Sequence, residues 1–102
     1  MQIILLDKVE KFLESNLTEK EMAKTIRVID LLEKFGNKLE MPHSKYLENG
    51  ILELRIRGKR EIRILYCFHK QKIILLHTFI KKSQNTPAKE LNRAQEEKSN
   101  LH

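Results

Sequence analysis

The sequence predicts an α+β domain: an N-terminal helical hairpin packed on an antiparallel sheet of three to four strands, followed by a C-terminal helix. Three observations predict it. Residues 18–36 run from a Thr-x-x-Glu box to a glycine, with apolar residues every three or four positions, the period of an amphipathic helix. Residues 51–80 hold three apolar runs separated by short polar turns, the pattern of a β-meander. Thr86-Pro87 then places a cap and a proline ahead of a last short helix. At 102 residues the chain is read as one domain over 1–102.

The elements follow in order. Residues 3–6, IILL, are too short to assign between a small edge strand and the lead-in to a helix. Asp7 and Glu10 have capping-box spacing, and Val9, Phe12 and Leu13 share one side of a helix over 8–15. Thr18 and Glu21 cap a second helix over 19–35, whose stripe is Met22, Ile26, Ile29, Leu32 and Phe35, with Gly36 at its end. Residues 37–50 contain Pro42 and Asn49-Gly50 and are read as a loop. In ILELRIR, Leu52, Leu54 and Ile56 take one face and Glu53, Arg55 and Arg57 the other. Gly58-Lys59-Arg60 turns the chain into EIRILYCFH, and Lys70-Gln71 turns it into KIILLHTFI. These two runs are almost continuously apolar, so they are expected in the middle of the sheet with both faces covered. The last helix is expected from 87 to about 95, showing Leu91 and Ala94, with 96–102 as a frayed tail.

Charge is unevenly placed. The net charge is +6, yet residues 1–50 carry eight lysines and arginines against nine acids, and residues 51–102 carry twelve against five. Such asymmetry points to a polyanionic partner. Four of the six arginines lie in LELRIRGKREIR, residues 52–63. Arg55 and Arg57 share a strand face. Arg63 joins them, because Ile62, Ile64, Tyr66 and Phe68 make the better core face of the next strand. Guanidinium groups converging on one face repel unless an anion satisfies them, and their planar fork fits phosphate oxygens. The competing reading is a solvated strand pair with Glu53 and Glu61 as local partners. A second constellation runs from His77 to Pro87: a central strand leads into Lys81-Lys82 and small polar residues before a helix N-terminus, a natural anion site. His77, between Leu75 and Phe79 by alternation, is by itself more often a core histidine than a catalyst.

Other chemistries are excluded. A single cysteine, Cys67, in an apolar run allows no internal disulfide and suits a buried thiol in a reducing cytoplasm. His43, His69, His77 and His102 show no metal-ligand spacing, so no metal or other cofactor is expected. There is no glycine-rich phosphate loop, nucleophile elbow or helix-turn-helix signature. The opening MQIILLDKVE lacks the basic region of a signal peptide, and no apolar run approaches a membrane span. The expectation is a cytoplasmic protein with no membrane partner.

Three motifs carry a resemblance: Glu53-Leu54-Arg55, Arg63-Ile64-Leu65-Tyr66, and Phe79-Ile80-Lys81-Lys82 with Thr86-Pro87. In this order, behind a helical hairpin, they resemble the RelE/ParE toxin superfamily, and within it the phage-derived HigB-like toxins of type II toxin–antitoxin modules. The resemblance covers essentially the whole chain; each motif alone is weak, and order and spacing carry the signal. It implies a RelE-like fold and a ribosome-dependent mRNA endonuclease that arrests translation and growth. It also implies ribosome and mRNA as partners, and a cognate helix-turn-helix HigA-like antitoxin held in a hetero-oligomer. The chemistry would be metal-independent attack of an RNA 2′-OH on the adjacent phosphorus. The protein then orients the nucleotide, stabilises phosphoryl charge and moves protons. By position, Arg63 would stabilise the phosphate and Arg55 would share that role. Lys81 and Lys82 stand where relatives carry a cation, and Arg57, Lys59 and Arg60 would hold RNA backbone. The chain departs from RelE-like enzymes in having no tyrosine after Tyr66, which leaves the general base unassigned. His77, an imidazole and so a common general base, and a lysine depressed by neighbouring cations are the alternatives. The superfamily also includes gyrase inhibitors, so a non-catalytic inhibitor of a protein target and a plain RNA-binding module stay as alternative readings.

Overall fold

Thr18 does at the head of the second helix what its spacing predicts. Its hydroxyl accepts a hydrogen bond from the Glu21 amide at 3.2 Å, and the Glu21 carboxylate accepts one from the Thr18 amide at 3.0 Å. At the other end Gly36, at φ 55°, supplies the positive dihedral that stops the helix. The computed structural model describes residues 1–82 and 85–102. Its elements are β1 (Gln2–Leu5), α1 (Asp7–Asn16), α2 (Glu19–Phe35), a 3₁₀ turn (Gly36–Lys38), β2 (Ser44–Glu48), β3 (Ile51–Ile56), β4 (Glu61–His69), β5 (Lys72–Lys81) and α3 (Ala88–Ser99).

The expected antiparallel sheet of three to four strands is corrected: the strands form one five-stranded mixed sheet in the order β1-β5-β4-β3-β2. β1 lies parallel to β5, with Ile3 opposite Ile73. It was unassignable because it is short, shows no alternation, and finds its partner at the far end of the domain. β2 occupies part of the stretch read as loop and pairs antiparallel with β3, Ser44 opposite Leu54. Its polar residues SKYLE suit a sheet edge. The Asn49-Gly50 pair, at φ 50° and 78°, is the tight turn between the two strands.

Both faces of the sheet are covered, which is why β4 and β5 read as continuous apolar runs. On one face Leu54, Ile56, Ile62, Ile64, Tyr66, Ile73 and Leu75 pack with Val9, Leu13 and Leu32 of the helical hairpin. On the other, Ile51, Leu65, Cys67, Ile74, Leu76 and Phe79 pack with Ala94 of α3. A bulge breaks the β4–β5 register: Leu65 faces His77, but Tyr66 faces Leu75, leaving Leu76 as the extra residue.

Three helix details differ from expectation. α1 has Leu6 at its cap position with no side-chain bond, so Asp7 and Glu10 sit inside the first turn. There they favour the helix dipole without capping. In α2 the stripe is narrower than the periodicity predicts. Ile26 and Phe35 are 51% and 45% exposed, while Thr25 is buried with its hydroxyl donated to the Glu21 carbonyl at 2.8 Å. α3 begins after Pro87 and runs to Ser99. Residues 96–102 are tied down: Leu101 packs on the second core layer, and His69 Nε2 lies 3.0 Å from the His102 carbonyl oxygen.

Candidate active site

Alternation along β3 turns Glu53 and Arg55 away from the helical hairpin, and antiparallel pairing sets Arg55 directly opposite Arg63 on β4. Two like charges at that spacing destabilise a sheet. The chain places an anion between them. Glu53 is fully buried; its Oε1 accepts a hydrogen bond from Arg55 Nε at 3.1 Å and lies 3.6 Å from Arg63 Nε. Its Oε2 accepts a hydrogen bond from Thr86 Oγ1. Arg63 also donates from Nη2 to Glu61 Oε1 at 3.0 Å and from Nη1 to the Ile62 carbonyl at 3.3 Å, while its Nε has no hydrogen-bond partner among the described residues. The Arg55 and Arg63 side chains are 11% and 4% exposed. The anion expected from outside is therefore already supplied in part by the protein.

Beside this cluster lies a cleft of about 280 Å³, lined by Lys45, Glu53, Arg55, Lys81, Asn85 and Thr86 among others. β2, β3, the end of β5 and the approach to α3 each contribute a wall. The cleft lining carries three cations, Lys45, Arg55 and Lys81, against two carboxylates, the buried Glu53 and the exposed Glu48, a small positive excess. The Lys81 amine is held below the usual lysine range, first by burial and then by the positive charges of Arg63, Arg55 and Lys45, against the pull of Glu53.

The structure brings Arg55, Arg63 and Lys81 to one place and separates the other expected residues from it. Arg63 sits behind the cleft rather than on its lining. Lys82 is exposed next to Lys81; Ser83 and Gln84 of the same stretch lie outside the described residues. Arg57 and Lys59 are exposed at the β3–β4 turn. Arg60 has a structural task on the opposite side of the sheet. Its Nε and Nη2 donate to the two Glu21 oxygens at 2.9 and 2.6 Å, and Nη2 also reaches the Asn16 carbonyl at 2.5 Å. Those bonds, with the Thr18 amide, hold the Glu21 carboxyl down to about 2.

His77 is buried under α3, its Nε2 2.9 Å from Glu90 Oε1 and its ring stacked beside Phe79. The bulge puts it on the α3 face while Leu75 points to the hairpin, and it does not line the cleft. The Arg-x-x-Tyr motif splits across the sheet. Tyr66 faces the hairpin core with its hydroxyl 2.5 Å from Ser44 Oγ, and burial pushes its phenol up.

Two contributors escaped the sequence reading. Lys45 escapes it because β2 lacks the apolar alternation of a strand. Thr86 escapes it because its spacing predicts a helix cap, whereas Pro87 holds that position. Among the described residues, no group of three or more His, Cys, Asp or Glu is placed to hold a metal ion, and no helix is long and apolar enough to cross a membrane.

One family model, described as Phage derived protein Gp49-like (DUF891), matches residues 12–99, from α1 through α3 and including every residue of the cleft. No curated protein matches the chain.

Proposed function

The chain belongs to the phage-derived Gp49-like family, known as a toxin type of toxin–antitoxin modules, and on that premise we propose that it is a HigB-like, ribosome-dependent mRNA endonuclease working in the β2–β3–β5–α3 cleft. The observation that carries this reading is the placement of Arg55 and Lys81 on one cleft, with Arg63 held behind them by Glu53. Fixed cations are what a phosphoryl transfer needs where charge grows. Arg55, oriented by its bond to Glu53, offers its remaining donors to the phosphoryl oxygens. Arg63 adds its field from behind. Lys45, Arg57, Lys59 and Lys82 are exposed cations for the RNA backbone; Arg60 is engaged by Glu21 and is left out of that group.

Lys81 is the candidate general base. Its depressed pKa raises the fraction of neutral amine near neutral pH. The neutral amine takes the 2′-OH proton as the 2′-oxygen bonds to phosphorus. The bond from phosphorus to the 5′-oxygen breaks, and the departing oxygen takes a proton from water. The products are a 2′,3′-cyclic phosphate and a new 5′-OH end. No protein nucleophile enters, so His77 and Cys67 stay in the core.

The test is message cleavage in a translating extract, with 5′ ends mapped. Lys81→Ala is expected to slow cleavage by about 10²–10⁴-fold, and Lys81→Arg, which keeps charge but cannot accept a proton at neutral pH, is expected to stay slow. Arg55→Ala should cost about 10²–10³-fold. Wild-type cleavage by a folded Lys81→Ala would remove lysine as the base. An intact message alongside blocked gyrase supercoiling would replace the nuclease reading with inhibition of a protein target.

A further inference from the structure

β2 does not pair evenly with β3. Lys45 faces Glu53 and Tyr46 faces Leu52, but the next pair is Glu48 with Ile51, so Leu47 is an extra residue. Simple alternation would turn Glu48 to the hairpin face with Ser44 and Tyr46. The bulge instead puts it on the α3 face, where Ile51 and Leu47 pack with the second core layer. Glu48 thereby lines the cleft together with Lys45 and Leu47. Its carboxylate is exposed and accepts a hydrogen bond from Asn49 Nδ2 at 3.4 Å. It makes no ion pair among the described residues, although three cations share the cleft.

The cleft therefore has two chemically different ends. Arg55 and Ile51 are four residues apart on β3, about 13 Å at the rise of a strand, so Arg55 stands at one end and Glu48, opposite Ile51, at the other. Lys81 lies towards the Arg55 end, since β5 pairs it with Glu61, two residues beyond the Arg63 that faces Arg55. The half-buried Leu47 and Leu91 add an apolar wall. Cations at one end match a phosphate, and an apolar wall matches the face of a base. A carboxylate beside the phosphate would repel it. At the far end it meets the edge of the base, where its two oxygens accept N–H donors and donate nothing. Among the RNA bases only guanine presents two adjacent donors on its Watson–Crick edge, N1–H and the N2 amino group. Adenine, cytosine and uracil each offer one donor beside an acceptor that a carboxylate repels. We propose that Glu48 is the specificity-determining residue of the cleft and selects a guanine next to the phosphate held by Arg55 and Lys81. The proposal deepens the nuclease reading and rests on it for the cleavage; binding of the base is separable from it.

The probes are guanosine 3′- and 5′-monophosphates, which place the base on either side of the phosphate, and the matching inosine monophosphates, which lack only the N2 amino group. Adenosine, cytidine and uridine monophosphates complete the set. Amide resonance shifts on the full chain locate the site, and titration gives the affinity. At least one guanosine isomer is expected to shift residues 45–48 and 53–55 and to bind about tenfold more tightly than inosine and the other bases. The tighter isomer tells which side of the phosphate carries the selected base. Glu48→Gln, which replaces an acceptor oxygen by a donor amide, is expected to abolish that tenfold preference. Its melting temperature should stay at the wild-type value, because the side chain is exposed. In a translating extract, wild-type 5′ ends should fall beside guanines, and those made by Glu48→Gln should spread over all bases. Equal affinity for guanosine and inosine, tighter binding of another base, no shifts in the cleft, or guanine preference retained in Glu48→Gln overturns the proposal. Guanine-selective binding beside an uncut message would remove the nuclease reading and leave the base site standing. Lys81→Ala separates the two from the other side, because it removes cleavage and keeps the preference for guanosine over inosine.

Discussion

Glu53 is the residue on which the site depends. A carboxylate with no exposure is expensive to bury, and it is tolerated because two guanidinium groups and a hydroxyl meet it. Removing it leaves Arg55 and Arg63 opposed across a strand pair with only Glu61 nearby. Glu53→Ala is expected to lower unfolding free energy by about 3–5 kcal/mol, the range for breaking a buried ion pair from one side, measured by urea denaturation. A loss below about 1 kcal/mol, the value of a solvated pair, would show that water already screens the cluster. That Glu53 and Arg55 share a face was legible from alternation alone. That Glu53 is the internal counter-ion was not, because the choice between an internal and an external anion turns on burial depth, and burial is set by α3 and Thr86. His77 shows the same limit: alternation grouped it with Leu75, and one extra residue at the bulge reversed Leu75 relative to it.

At the scale of elements, Arg60 and Glu21 clamp the β3–β4 turn onto the first turn of α2. The helix boundaries and the capping box were legible, since Thr18, Glu21 and Gly36 act through bonds within one turn of themselves. The clamp was not, since its partners are 39 residues apart. Its pH dependence has a definite sign. The folded Glu21 carboxyl titrates at about 2 against an ordinary 4.5, so the clamp's contribution is complete above the ordinary value and is lost as pH falls from there towards the folded one. The melting-temperature gap between wild type and Arg60→Ala is accordingly expected to be constant near neutrality and to close on acidification through that window. A gap that widens with acid would mean that Arg60 acts through another group. β1 and β2 are the elements the sequence hid, the first for want of length and the second for want of apolar alternation.

At the scale of the whole molecule, β1 covers an edge of β5 that would otherwise present open backbone donors and acceptors beside Ile73–Leu76. Deletion of Gln2–Leu5 is expected to produce concentration-dependent self-association, seen as a shifted elution volume in size-exclusion chromatography, together with a lower melting temperature. A monomeric, equally stable deletion would show that β5 needs no cover. By itself the sequence determined the helices, the three central strands, the face shared by Arg55 and Arg63 and the basic half of the chain, because each is written in residues a few positions apart. Only the tertiary structure decided that the sheet is five-stranded and mixed, that Arg63 is buried behind the cleft while Lys81 opens onto it, and that Arg60 serves the fold. Those outcomes depend on pairings between distant residues and on which charges the packed core removes from water, and neither quantity exists until the chain has closed on itself.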